Sequence, residues 1–169
     1  MNRFILLAVA VLMISPVSAT SVKSKPASAV PSAAQECRVQ TEAKEYEKAA
    51  KPCTQAANLG DLEAQHILGR MYEKGTGVSR DLEAAFKWYS RAAEKGHAAS
   101  QRRVAAAYYW GLGGVSKDDV KAFEWFKRAA EGGDKRAQKQ MAEAYRRGLG
   151  GLPKDEKLAR EWAERAERN

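Results

Sequence analysis

The sequence predicts an all-α protein, a solenoid of antiparallel helix pairs, from two observations. Aromatic and small residues return at an interval of 36 to 37 residues through most of the chain, and such a fixed period is the signature of stacked repeats. Within one interval, two segments each carry apolar residues three or four positions apart, which is the periodicity of amphipathic helices. One helix pair has too little apolar surface to be stable alone, so each pair must pack on its neighbour.

The N-terminus has the pattern of a secretory signal peptide over residues 1–19. Arg3 gives a positive start, residues 4–14 are apolar, and Val17 and Ala19 are small residues where signal peptidase requires them. The apolar run of eleven residues is well short of the ~20 that span a bilayer, so no membrane span is expected. We therefore expect export, to the periplasm or outside the cell, with cleavage after Ala19.

The segment that follows, residues 20–35, is rich in Ser, Ala and Pro and has no aromatic residue. Such a composition cannot bury enough apolar surface to offset the entropy of ordering the chain. The segment is therefore predicted to be a disordered linker.

The charge balance is basic, with 29 Lys and Arg against 21 Asp and Glu and a net charge of +8. A basic excess can indicate nucleic-acid binding, but the expected export argues against that partner. The cations also alternate with glutamates, as on an ordinary solvated helix face. Acidic proteins and anionic envelope surfaces remain open as partners.

Three units explain the recurrence, at residues 61–97, 98–134 and 135–169. Each unit begins with a helix that carries a small residue and a tyrosine, and glycines end that helix by supplying a permissive backbone. An aspartate then suits the cap of a second helix, which carries a tryptophan. We expect the aromatic stripes to be core residues. The recurring positions are Gly69, Ala105 and Ala142; Tyr72, Tyr108 and Tyr145; Asp81, Asp118 and Asp155; and Trp88, Trp125 and Trp162.

Residues 68–101, LGRMYEKGTGVSRDLEAAFKWYSRAAEKGHAASQ, resemble the Sel-one-like repeat (SLR), a relative of the tetratricopeptide repeat. The resemblance extends over about residues 61–166. It implies a right-handed superhelical solenoid that acts as an adaptor for protein complexes. The third unit departs from the pattern, with Leu152, Arg160 and Ala163 in place of apolar or aromatic residues of the earlier units. Polar and small residues there suit a terminal cap.

Residues 36–60 lack the glycine loop, and the stretch TEAKEYEKA resembles the short turn between two tetratricopeptide helices. This resemblance predicts a capping hairpin that turns near Lys44 and Glu45. Cys37 and Cys53 then lie eight residues either side of the turn and face each other. In an exported chain such a pair favours a disulfide, while two separate thiols remain the alternative.

No catalytic or metal-binding motif is present in the sequence. There is no His-Glu-x-x-His, no Gly-x-Ser-x-Gly, no cysteine–histidine cluster and no phosphate-binding loop. His97 follows Gly96 and is expected to be a solvated turn residue. His66 aligns with Arg102 and Lys139, which predicts an exposed position. We therefore expect a protein that is not an enzyme and that needs no cofactor or metal.

The positions that differ between units are free to specify a partner. On the first helix of each unit, the face at i, i+4 and i+7 varies most. Trp110 is unusual because Lys74 and Arg147 occupy its place in the other units, and aromatic and arginine side chains are common interface anchors. Packing of Trp110 over the adjacent glycine loop is the alternative. The predicted partner-binding residues are His66, Arg70, Arg102, Tyr109, Trp110, Lys139 and Arg146.

The function hypothesis is a non-enzymatic adaptor or regulator in the cell envelope that binds a protein or peptide on the concave face. One alternative is binding of an anionic cell-wall polymer through Arg102, Lys139, Arg146 and Arg147. Another is a cysteine-bridged envelope hydrolase or drug-binding protein. That possibility rests on resemblance alone, because no serine has a catalytic sequence context.

Overall fold

The computed structural model describes residues 32–168, which form eight α-helices and, within that range, no β-strand. Each helix packs against the helices before and after it in the chain, so the predicted all-α repeat solenoid is confirmed. No helix between Ser32 and Arg168 has the length and apolar character needed to cross a membrane. The helices are α1 (Ala33–Glu42), α2 (Tyr46–Asn58), α3 (Leu62–Lys74), α4 (Leu82–Glu94), α5 (Ala98–Trp110), α6 (Asp119–Glu131), α7 (Lys135–Arg147) and α8 (Glu156–Arg168).

The first helix begins within the segment predicted as a linker. The Ser32 hydroxyl accepts the Gln35 backbone N–H at 3.2 Å, and the Gln35 side chain accepts the Ser32 N–H at 3.0 Å. This reciprocal capping box satisfies two helix-terminal donors and makes residues 33–35 helical. The linker prediction is therefore wrong for these three residues. The predicted signal peptide and the rest of the linker, residues 1–31, lie outside the described residues.

Helices α1 and α2 form a hairpin closed by a disulfide. The chain reverses at residues 43–45, where Lys44 adopts a left-handed backbone with φ of 61°. Cys37 and Cys53 are bonded across the hairpin with their Cα atoms 4.6 Å apart, and both are fully buried. The predicted disulfide is confirmed, and it lies in the apolar core that α1 and α2 share with α3.

The glycine loops attach each helix pair to the pair before it. Gly75, Gly111 and Gly148 end α3, α5 and α7 in the left-handed conformation, as the sequence predicts. Two residues later, a Cβ on Gly113 would lie 2.7 Å from the Cβ of Phe86 in α4. Gly150 packs in the same way against Phe123 in α6. The second glycine is therefore required because the neighbouring helix is too close for a side chain.

The small residue on each first helix also has the expected role. A Cβ on Gly69 would lie 2.7 Å from the Tyr89 ring, so α3 and α4 approach closely at this point.

The tryptophans pack at the edge of the core, where each also lies beneath an arginine three residues later in its helix. The guanidinium-to-ring distances are 4.5 Å for Arg91 and Trp88, 4.6 Å for Arg128 and Trp125, and 4.7 Å for Arg165 and Trp162.

A column of buried glutamines provides a second recurring contact that the sequence analysis missed. The side-chain amide of each glutamine donates to a carbonyl at the end of the preceding helix and thereby ties one helix pair to the next. Because a buried carbonyl without a partner is costly, this bond fixes the register between pairs. The bonds are Gln65 to Ala57 at 3.0 Å, Gln101 to Ala93 at 3.1 Å and Gln138 to Ala130 at 3.1 Å.

Candidate functional site

A groove of about 390 Å³ lies between α5 and α7, and we call it the central groove. It crosses the junction between two helix pairs, so its walls come from both. Its lining comprises Arg102, Ala106, Tyr109 and Trp110 from α5, Phe126 from α6, and Arg136 and Gln140 from α7. The groove therefore joins three of the predicted partner-binding residues, Arg102, Tyr109 and Trp110, with four that were not predicted.

The groove is open because a small residue stands on the exposed face of α5. Arg102, Ala106 and Tyr109 follow one another at i, i+4 and i+7, and so lie along one helix face. The position of Ala106 is held by Arg70 in α3 and by Glu143 in α7. A methyl group at this point leaves space that those longer side chains would fill.

Trp110 provides the largest exposed apolar surface of the groove. It is the last residue of α5, and 68% of its surface is exposed. Its ring meets Tyr109 edge-on at a centroid distance of 4.8 Å, and Tyr109 in turn contacts the buried Phe123 at 6.1 Å. The indole is thus supported on one side and left uncovered on the other.

Arg102 forms an ion pair inside the groove. Its Nε donates to Asp134 Oδ2 at 2.9 Å, and both side chains are largely buried, with 17% and 11% exposed. Asp134 also caps α7 by accepting the Ala137 N–H at 2.8 Å. Arg102 therefore links the α5–α6 pair to the α7–α8 pair, and Asp134 neutralises most of its charge.

Arg136 and Gln140 form the α7 wall and were missed by the sequence analysis. Both are exposed, and within residues 32–168 neither has an ion pair or hydrogen bond to another side chain. They lie one turn apart, and their counterparts on α5 are Ala99 and Arg103. The only signal in the sequence was this difference between units. The position of the two residues beside α5 is visible only in the folded structure.

His66 is buried, so the prediction that it is exposed is wrong. Only 8% of its surface is exposed, and its Nδ1 lies 3.0 Å from Ser100 Oγ on α5. Its ring also packs against Tyr89 and His97, at centroid distances of 5.4 and 5.0 Å. Burial, followed by the nearby His97, lowers the pKa of His66 from 6.5 to about 4. The side chain is therefore neutral and inaccessible at pH 7.

His97 is the N-cap of α5 and not a solvated turn residue. Its Nδ1 lies 2.9 Å from Ser100 Oγ and accepts the Ser100 N–H at 3.3 Å. Its Nε2 lies 3.3 Å from Glu63 Oε2. This contact lowers the pKa of Glu63, against the opposing effect of partial burial. The equivalent caps of α3 and α7 are Asp61 and Asp134, so His97 replaces an aspartate.

The remaining predicted partner-binding residues lie outside the central groove. Arg70 is half-buried on α3 and lines a small cavity beside α2. Lys139 pairs with Glu167 of α8 at 3.6 Å. Arg146 pairs with Glu143 at 2.6 Å, and Glu143 also faces Arg147 at 3.6 Å.

The corresponding junction between α3 and α5 is bridged by charge, and only a cavity of about 70 Å³ remains beside the bridge. Glu73 Oε1 pairs with Arg103 Nη1 at 3.1 Å, and Glu73 Oε2 accepts the Tyr89 hydroxyl at 2.6 Å. The hydrogen-bonded carboxylate and, above all, burial raise the pKa of Tyr89. In the central groove, the position of Glu73 is taken by Tyr109, that of Arg103 by Gln140 and that of Tyr89 by Phe126. They cannot form this bridge, so the groove beside the Arg102–Asp134 pair stays open.

The polar groups of residues 32–168 do not form a recognisable catalytic or metal centre. Ser100, His97 and Glu63 are linked by short contacts, but Ser100 is fully buried and no substrate can reach its hydroxyl. No group of three or more His, Cys, Asp or Glu side chains in the described chain is placed to hold a metal ion.

The fold defines the class of helical repeat solenoids. Models of the Sel1 repeat match residues 62–97, 98–134 and 135–169. The chain therefore belongs to the Sel1 repeat family, as the SLR resemblance implied. Proteins of this family are generally scaffolds for protein interactions.

Solved structures show the same architecture. A Sel1 repeat protein from Oxalobacter formigenes superposes with a TM-score of 0.76 at 33% identity, covering 82% of this chain and 54% of that one. The protective antigen c5321 of uropathogenic Escherichia coli strains gives 0.73 at 30% identity, covering 82% and 31%. Helicobacter pylori cysteine rich protein B gives 0.57 at 22% identity, covering 73% and 87%, which indicates shared fold alone.

Curated relatives match over shorter stretches. DAP3-binding cell death enhancer 1 of Rattus norvegicus is 39% identical over 62 residues, which is 37% of this chain and 12% of that protein. Chitin synthase regulator SKT5 of Saccharomyces cerevisiae is 53% identical over 38 residues, which is 22% of this chain and 6% of that protein. The matched stretches thus span a small part of these relatives.

Proposed function

We propose that this protein is a non-enzymatic adaptor that binds a segment of a partner protein in the central groove. The observation that carries the proposal is Trp110, which is 68% exposed at the end of the groove away from the Arg102–Asp134 ion pair. Exposed aromatic side chains supported from below are typical anchors of protein interfaces. Tyr109 and Arg102 belong to the same surface, and Arg70, Lys139 and Arg146 are proposed as its basic surroundings on the first helices.

Two further observations support the proposal. The Sel1 repeat is generally a scaffold for protein interactions. The names of the two curated relatives also refer to another protein, because one is described as DAP3-binding and the other as a chitin synthase regulator.

We place this adaptor in the cell envelope. The proposal rests on the signal-peptide pattern of residues 1–19 and on the Cys37–Cys53 disulfide. Disulfides persist in oxidising compartments such as the periplasm and the cell exterior. The cellular location is checked by fractionating cells that express the full chain and by determining the N-terminal residue of the product.

Binding of an anionic cell-wall polymer is less well supported by the cations proposed for it. Each of the four has a carboxylate partner, and two of them share one. The pairs are Arg102 with Asp134, Lys139 with Glu167, and Arg146 and Arg147 with Glu143. Paired cations offer a polyanion little net charge, whereas Trp110 leaves 68% of its surface exposed.

The test is a crosslinking pull-down from the native envelope with wild type, Trp110→Ala and Leu59→Ala. Leu59 is 86% exposed and lies outside the groove, so its truncation is a matched control. We expect Trp110→Ala to reduce capture of a specific protein at least tenfold, since loss of an interface anchor costs about 2 kcal/mol or more. Leu59→Ala should have no effect.

The polymer alternative gives a different result in the same experiment. Capture by exposed cations falls steeply as salt rises, because charges are screened beyond ~8 Å at physiological ionic strength. Capture through Trp110 should change little. If the bound material is polymer, is lost at high salt and does not depend on Trp110, the adaptor proposal is wrong.

A further inference from the structure

We infer that the central groove binds an extended segment that carries one carboxylate and one large apolar side chain, three or four residues apart. This inference rests on the proposed function and specifies the partner's chemistry. It places the carboxylate at Arg136 and the apolar side chain on Trp110.

The two ends of the groove differ in chemistry. Arg102 lies in the first half of α5 and contacts Asp134 at 2.9 Å. Arg136 follows Asp134 in the first turn of α7, so the two arginines lie at the same end of the groove. Trp110 ends α5, eight residues beyond Arg102 and hence about 12 Å along the helix axis. Tyr109 and the buried Phe126 continue the apolar lining at this end. A segment in the groove therefore meets a cation at one end and aromatic rings at the other.

The cationic end fits one carboxylate and not a run of negative charge. Asp134 already neutralises Arg102 through a contact of 2.9 Å. Among the described residues, Arg136 has no carboxylate partner, and the adjacent Gln140 can donate a further hydrogen bond. An arginine binds a carboxylate with two parallel hydrogen bonds. The site thus offers one net positive charge and donors for a single acidic group.

The dimensions of the groove favour an extended chain. An extended residue spans ~3.3 Å, so about 12 Å corresponds to three or four residues. The same distance takes about eight residues along an α-helix at 1.5 Å per residue, so a segment of three or four residues reaches both ends only when it is extended.

The overall charge favours such a partner as well. The chain has a net charge of +8, which attracts acidic segments and speeds their encounter. Specific binding then depends on the local cation and on the aromatic surface. These are separate contributions, so each can be removed without the other.

The experiment is selection of random peptides displayed on phage against the full chain with its disulfide intact. Parallel selections use Trp110→Ala, Arg136→Glu and Arg160→Glu. Arg160 is exposed on α8 outside the groove, so its reversal makes the same change in net charge. We expect wild type and Arg160→Glu to enrich peptides with an aromatic residue three or four positions from Asp or Glu.

Arg136→Glu should replace that acidic preference with Lys or Arg at the same spacing. A selected peptide is then measured by fluorescence anisotropy. Changing its acidic residue to the amide should weaken binding at least tenfold to wild type, but have little effect on binding to Arg136→Ala. Circular dichroism spectra and melting curves establish that the variants are folded.

The outcomes separate the inference from the proposed function. Enriched peptides that require Trp110 but show no acidic preference overturn the inference and leave the adaptor proposal standing. Peptides that bind Trp110→Ala as well as wild type overturn both. If no peptide is enriched, the inference is wrong, and the adaptor proposal is then judged by the pull-down alone.

Discussion

At the scale of single residues, the two histidines take the place of an ion pair. Arg102 and Asp134 join α5 to α7, and His66 and His97 occupy the equivalent positions between α3 and α5. The rings lie 5.0 Å apart and share the Ser100 hydroxyl. A proton on His66 would place a buried charge at this contact, without the direct carboxylate partner that Arg102 has in Asp134. The junction between α3 and α5 is therefore sensitive to acid.

We predict that stability falls between pH 7 and pH 5 because of His66. Its pKa is about 4 in the folded protein and 6.5 ordinarily, so below pH 6.5 the unfolded chain binds a proton that the folded protein excludes. The stabilisation is complete above pH 6.5 and is lost as the pH falls toward 4. The loss between pH 7 and pH 5 amounts to about 2 kcal/mol. Urea unfolding at the two pH values measures it.

His66→Gln is the comparison variant, because it removes the titrating group and can still reach Ser100. Its stability should change less between pH 7 and pH 5 than that of wild type. The titratable groups around His66 are His97, Glu63, Arg70 and Arg103, and all four remain in the variant. Identical pH dependence in the two proteins would show that His66 is not the responsible group.

The same residues show what the sequence could indicate at this scale. Trp110 was identified because the aligned residues of the other units are Lys and Arg, and in the structure it is exposed. The same comparison gave a wrong prediction for His66, because the aligned residues Arg102 and Lys139 are charged and suggested an exposed position. Its burial depends on Ser100 and His97 across the junction, and alignment of units does not reveal contacts between them.

At the scale of elements, the glycine loops determine how closely the pairs approach. Gly113 has a φ of 72°, and a Cβ there would lie 2.7 Å from Phe86 Cβ and 2.8 Å from the Leu82 carbonyl oxygen. Gly133 has a similar φ of 88°, but no atom would lie within 4 Å of its Cβ. The two positions share the same backbone requirement and differ only in space.

We predict that Gly113→Ala destabilises the protein more than Gly133→Ala. Both lose about 1–2 kcal/mol through the left-handed backbone. Gly113→Ala adds about 1–3 kcal/mol because α4 must move or Phe86 must leave its preferred rotamer. Chemical denaturation of the two variants measures the difference. Equal losses would indicate that the loop shifts without cost and does not set the packing between pairs.

The helices themselves were predictable because their caps and stripes recur in the sequence. The aspartate caps of α4 and α6 and the glycine ends of α3, α5 and α7 lie where the spacing placed them. The central groove was predicted in part, because its α5 wall lies on one helix face. Arg136 and Gln140 were missed because the groove lies between pairs, where their approach to α5 depends on the packing.

At the scale of the whole molecule, stability is local because helices contact their neighbours in order. In such a stack, each unit contributes its own stability and that of its interfaces. The disulfide strengthens the hairpin at one end of the described chain. At the other end, α8 packs mainly on α7 and has no covalent support.

We predict that removing the disulfide affects one end of the stack alone. The bridge closes a loop with a sequence separation of 16, which stabilises by about 3 kcal/mol in the chain-entropy model. In Cys37→Ala/Cys53→Ala, amides of α1 and α2 should therefore exchange with solvent about a hundredfold faster, while those of α7 and α8 keep their rates. Hydrogen exchange followed by mass spectrometry measures this. Equal acceleration in every helix would instead indicate that the stack opens as one cooperative unit.

The position of the central groove across a repeat boundary affects how such a protein can diversify. Duplication of residues 98–134 in tandem would keep the present groove, where the second copy meets α7. At the new boundary, Tyr109 and Trp110 of the first copy would face Ala99 and Arg103 of the second, in place of Arg136 and Gln140. A single duplication would therefore not produce two identical sites. It would create a second specificity beside the first, without any point mutation.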